Sequence, residues 1–170
     1  MPNEKQAKMN AVLVLALLVA IIPAAWAVLT IWAAGQFNIA GFGPVALISA
    51  AICYADAGRT KPALNAGGFV LGTIWGMLSV LMIFNLPFGM LPNVFVTLAI
   101  MAGSAVILGM TVLEKLVSLN TYLGALAISV LCLLFAGANP GMPVADLSAL
   151  SLNLIVNMLA GVYLIGVLLL

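Results

Sequence analysis

This sequence predicts an all-α, polytopic membrane protein of six transmembrane helices, and three observations carry that prediction. Hydrophobic residues make up 66% of the 170 residues and charged residues only 5%, whereas soluble domains carry roughly a quarter charged residues. Mean hydropathy is +1.33. At about 20 apolar residues per span, the length holds six helices with short loops and leaves no room for an extramembrane domain. Residues 1–170 therefore read as a single transmembrane domain. The third observation is a faint internal repeat. A shift of 81 residues carries Gly72 onto Asn153 and Gly76 onto Asn157, and it lays GPVALISAAICY (Gly43 to Tyr54) over GALAISVLCLLF (Gly124 to Phe135).

The elements follow in order. The first span is expected over about Asn10 to Ala34, with a kink at Pro23 because proline removes a helical hydrogen bond. This apolar run is too long for a signal peptide and has no convincing cleavage context. The second span covers about Ile39 to Ala57, around a core from Gly43 to Tyr54. The third runs about Ala63 to Phe84 and ends at the turn-rich loop NLPFGMLPN, Asn85 to Asn93. The fourth is about Val94 to Leu113. The fifth, about Tyr122 to Ala138, is short. The loop NPGMPVAD leads to the sixth, about Leu147 to Leu169, with Asp146 placed as its N-cap.

Basic residues set the orientation. Lys5 and Lys8 precede span one, Arg59 and Lys61 follow span two, and Lys115 follows span four. With six spans all five fall on one side, so both termini are expected in the cytoplasm. The repeat halves, about 10–90 and 91–170, hold three spans each. An odd number of spans inserts the second half upside down relative to the first, giving a 3+3 inverted repeat with a short second helix in each half.

The stretch Tyr54 to Gly76, YADAGRTKPALNAGGFVLGTIWG, joins a tyrosine, a small-residue turn, a lysine and a small-residue helix that reaches a tryptophan. It resembles the bacterial inner-membrane family DUF 1097 (domain of unknown function). The run YLGALAISVLCLLFAG, Tyr122 to Gly137, is similar to a later segment of that family. Asp56 in the turn departs from the pattern, as does the lack of a proline before the second run. The resemblance implies a small multi-span protein of the bacterial inner (cytoplasmic) membrane. It carries no established chemistry and assigns no residue a role.

Candidate site residues come from the repeat. Gly68, Gly72 and Gly76 share a face of the third span, and Asn153, Asn157 and Gly161 share one of the sixth. The glycines fit close helix packing of the small-xxx-small type. The asparagines form a polar stripe that either ties helices together or lines a pore. If the stripe faces a cleft opposite the glycine helix, the two make a neutral path with both donors and acceptors. Thr73, Asn65, Ser79, Thr97, Ser104, Thr111 and Ser129 are further polar positions, and helical Ser and Thr often bond back to their own helix. Trp32, Tyr122 and Tyr163 read as interfacial anchors. Trp26 and Trp75 lie nearer mid-span, where core or lipid contact outweighs a pore role. Asp56 either pairs with Arg59 or Lys61 or serves as an intramembrane acid.

These residues point to a passive channel or facilitator for a small uncharged polar solute, of the size of urea, a short amide, ammonia or water. Ion-coupled carriers usually display buried charges, and few are available here. The alternatives are a proton- or cation-coupled transporter using Asp56, and a non-transporting membrane scaffold. An enzyme is not expected, because the chain has no histidine, no acidic pair and no Ser/His/Asp set. No cofactor or metal is expected either, with Cys53 and Cys132 acting as small hydrophobes. The expected partners are the lipid bilayer, the solute and further copies of the chain in a homo-oligomer. The net charge of +1 gives no case for nucleic acid.

Overall fold

The structure, a computed structural model, describes residues 2–37, 41–55 and 62–169. Six helices follow in order: α1 (Pro2–Phe37), α2 (Val45–Ala55), α3 (Pro62–Asn85), α4 (Met90–Met110), α5 (Leu119–Phe135) and α6 (Val144–Leu169). No strand occurs among the described residues. Three stretches among them, Pro62–Asn85, Met90–Met110 and Val144–Tyr163, are long and apolar enough to cross a membrane, and α5 is a shorter apolar helix. Asp56, Arg59 and Lys61 lie outside the described residues.

The helix ends differ from the sequence expectation for local reasons. α1 starts at Pro2 rather than near Asn10. A proline at the first helical position has its φ preset and loses no hydrogen bond there. The resulting 36 residues span about 54 Å at 1.5 Å per residue, well beyond a hydrocarbon core of about 30 Å. The helix also continues through Pro23. α2 begins at Val45, after a turn at 43–44, later than the start expected near Ile39, and is described over 11 residues to Ala55; Ala57 lies outside the described residues. α4 begins four residues early because Pro92 falls in its first turn, where a missing N–H has no partner to lose. At its other end the N–H groups of Thr111, Val112 and Leu113 all reach Leu108 O, at 3.3, 3.1 and 2.8 Å, and this tight turn stops the helix. α5 ends in a Schellman motif. Gly137 takes φ +91°, its N–H meets Leu134 O at 3.1 Å, and the Ala138 N–H meets Leu133 O at 3.0 Å. α6 starts at Val144, directly after Pro143, so Asp146 sits in the first helical turn and is not the N-cap. Its carboxylate still faces the positive end of the helix dipole.

Packing is closest between α3 and α5, and next between α2 and α6. α4 lies against α3 and α5, and α1 against α2 and α6. Exchanging α1, α2 and α3 for α4, α5 and α6 maps the packed pairs onto themselves: α3–α5 becomes α6–α2, α1–α2 becomes α4–α5, and α1–α6 becomes α4–α3. The directions follow from the contacts. Gly68 sits against Ser118 and Thr121, Gly72 against Ala125 and Gly76 against Ser129, so α3 and α5 run parallel. Thr73 meets Met158 while Met77 meets Ser148, so α3 and α6 run antiparallel. Phe69, Val80, Ile83, Leu133, Leu154 and Met158 fill the core between these helices.

The turn between α3 and α4 hangs on one side chain. Buried Asn93 donates to Ile83 O at 2.9 Å and to Leu86 O at 2.6 Å, and its Oδ1 accepts from the Phe88 N–H at 3.1 Å. Asn93→Leu strands these backbone groups and is expected to cost about 1–3 kcal/mol, read as a lower unfolding midpoint in detergent. Asn139→Leu serves as the comparison and is expected to change little, because Asn139 donates to Gly137 O in an exposed loop.

Candidate functional site

The asparagine stripe faces α1. Asn157 is buried, with 4% of its surface exposed, and its amide is held at both ends. Oδ1 accepts from Trp26 Nε1 at 3.0 Å. Nδ2 donates to Asn153 Oδ1 at 2.8 Å and to Asn153 O at 2.9 Å. The i, i+4 spacing stacks the two amides one turn apart on α6, and Trp26 extends the chain of hydrogen bonds to α1. Above them opens a groove of about 390 Å³ between α1 and α6. Trp26, Thr30, Asn153 and Asn157 supply its polar side, and Ala33, Phe42, Ala149, Leu152 and Val156 its apolar walls. No ionisable side chain is among these lining residues. Thr30 turns its hydroxyl to its own helix, with Trp26 O at 2.9 Å and Ala27 O at 3.0 Å. That hydroxyl also occupies the space a Cβ at Gly43 would need, so α2 enters close beneath the groove.

The glycine face does not line this groove. A Cβ added at Gly72 would run into Tyr122 O and lie 2.6 Å from Ala125 Cβ, and one at Gly76 would lie 2.5 Å from Ser129 Cβ. Gly72 and Gly76 are therefore sealed against α5 as close-packing residues, one helix pair away from Asn153 and Asn157. Asn157 meets Trp26 of α1 and Asn153 of its own helix, whereas Gly72 and Gly76 meet α5.

Thr73 lies in the core between α3, α5 and α6, fully buried. Its hydroxyl donates to Phe69 O at 2.8 Å and accepts from Ser129 Oγ at 3.1 Å, with Met158 Sδ at 3.4 Å. Thr73 thus ties helices together and does not face the groove. Ser79, Ser104 and Thr111 bond back to Trp75 O, Met101 O and Ile107 O, as the sequence reading anticipated. Asp56, the last of the candidates, is outside the described residues.

Two aromatic assignments change. Tyr122 is no interfacial anchor. It is fully buried, edge-on to Trp75 with ring centroids 6.3 Å apart, and its hydroxyl has no partner among the described residues. Trp32 and Tyr163 are exposed at 62% and 66%, in keeping with an anchor role. Trp26 is the site residue that sequence reasoning undervalued. Its only signal there was a mid-span position, and its link to Asn157 crosses 131 residues of chain. In the first half the repeat places Trp75 where α6 has Val156. Trp75 donates to Ser104 Oγ of α4 at 3.2 Å, and its indole bridges α3 and α4 at the position equivalent to the groove.

No family model, curated protein or solved structure matches the chain. The likeness to the DUF 1097 family rests on the quoted residues alone.

Proposed function

We propose that the chain is a six-span, inverted-repeat protein of the bacterial inner membrane that lets a small uncharged polar solute, such as urea or a short amide, cross the bilayer. The observation that carries this reading is the Trp26–Asn157–Asn153 chain on one side of an uncharged groove. Asn157 Oδ1 accepts one bond, from Trp26, and an amide oxygen has two lone pairs, so it can accept a second from a neutral solute that has shed its water, and the lack of charge in the lining disfavours ions. The exchange symmetry of the packed pairs and the antiparallel run of α3 and α6 support the repeat reading.

Purified protein in liposomes is expected to pass urea or acetamide faster than protein-free vesicles, with no dependence on an imposed pH gradient. Flux that follows the gradient favours the coupled transporter using Asp56. Vesicles that pass nothing favour the non-transporting scaffold. Topology is a separate check. Reporter fusions at Met1 and Leu170 are expected to read cytoplasmic at both ends, and opposite readings would remove the inverted repeat.

A further inference from the structure

The groove between α1 and α6 differs from what the smallest neutral solutes need. Its volume of about 390 Å³ is roughly thirteen times the share of about 30 Å³ that one liquid water takes. It falls within the range of about 300–1,000 Å³ typical of organic-ligand sites, which pair mostly apolar walls with a few placed polar groups. Here Leu152, Val156 and Phe42 are such walls, and the amides of Asn153 and Asn157 are the placed groups. The mouth opens on the flank of the bundle, since Leu152 is 61% and Val156 52% exposed. Asn157, by contrast, lies at the buried floor.

We infer that this groove is a binding site for a neutral amphipathic molecule: one amide or hydroxyl group that donates to the asparagine pair and an apolar arm along Leu152 and Val156. The inference rests on the transport reading and narrows its solute class, away from water and ammonia and toward amides with an apolar arm. The described lining carries no charge to hold an ammonium or carboxylate, and a charged group there would stay unpaired in a low-dielectric site. An arm without a polar end leaves the amide face uncovered. Entry from the flank lets the arm remain in contact with apolar surroundings throughout.

Trp26 reports on occupancy because its indole lines the groove. A variant with Trp32→Phe and Trp75→Phe leaves it as the sole tryptophan. This protein in nanodiscs is titrated with acetamide, butyramide and hexanamide, with affinity referred to the aqueous concentration. The saturable change in Trp26 emission is expected to tighten about fourfold per added methylene, the equivalent of about 0.8 kcal/mol per buried CH₂. Asn153→Leu should remove the saturable component, and Leu152→Phe, which keeps Trp26 the sole tryptophan, should weaken the longer amides while sparing acetamide. Where Asn153→Leu fails to fold, Asn153→Ala carries the same expectation.

Equal affinity for acetamide and hexanamide overturns the inference, as does hexanamide binding that survives loss of the Asn153 amide. Emission that responds to no amide, together with cross-linking of copies through Leu152→Cys, overturns it in favour of a second copy covering the groove. Binding and transport fail separately. Graded binding without flux keeps the site and removes the facilitator, whereas flux without graded binding does the reverse.

Discussion

Asn157→Leu is expected to reduce solute flux sharply while the bundle still assembles. Leu shares the branching of Asn but is bulkier and apolar, and three hydrogen bonds disappear: one from Trp26 and two to Asn153. Polar ties between membrane helices average only about 0.6 kcal/mol in mutant cycles, and Trp26 is only partly buried, so the stability loss should be small. Transport has less to spare. A desolvated solute that loses one net hydrogen bond of about 0.5–1.5 kcal/mol slows roughly two- to tenfold, and the Leu side chain adds apolar bulk at the floor. Asn153→Leu should act the same way. Asn120→Ala, exposed in the first turn of α5, should leave flux unchanged. Ser118 is a poorer control than its place between spans implies. It is buried and its N–H bonds Leu64 O at 3.0 Å. If both Leu variants assemble and flux holds, the asparagines are helix ties and the pore assignment falls.

Gly72→Ala carries the second large effect, on folding. The new methyl meets Tyr122 O, with Ala125 Cβ at 2.6 Å and Leu126 N at 3.1 Å. Two of these three atoms are backbone and cannot rotate away, so α3 and α5 must separate along their whole parallel contact. Overpacking of this kind costs about 1–3 kcal/mol and occasionally more. Gly103→Ala gives the opposite sign. Nothing lies within 4 Å of a Cβ there, and Ala exceeds Gly in helix propensity by about 1 kcal/mol. Unfolding midpoints in detergent should therefore fall for Gly72→Ala and hold or rise for Gly103→Ala. Equal midpoints would mean that the α3–α5 contact is looser than described.

The long apolar runs made α3 and α4 legible in the sequence, because a helix of that composition has few alternatives. Their ends were less so. Asp146 has the chemistry of an N-cap, but Pro143 offers a start three residues earlier, and both fit the same letters. Gly72 and Gly76 were readable as a packing face. Which helix they pack against was not, since the choice of α5 depends on directions that no local pattern encodes. The asparagine pair was readable as a stripe from its spacing alone. Its partner Trp26 was not, because hydrogen bonds between helices distant in sequence leave no trace in periodicity. Tyr122 looked like an anchor because tyrosine at a helix start usually is one. Its burial follows from the gap that Gly72 and Gly109 leave beside it.

The crossing of partners, α2 with α6 and α3 with α5, sets a timetable for biogenesis. α2 ends at Ala55 and its main partner begins at Val144, 89 residues later by subtraction. At about 5–20 residues per second of synthesis, α2 waits roughly 5 to 18 s before that partner exists. During that wait α2 lacks its main partner and has α1 as its chief neighbour. Neither half of the chain completes its own contacts, so a nascent chain halted after α4 should be the form that quality-control proteases clear.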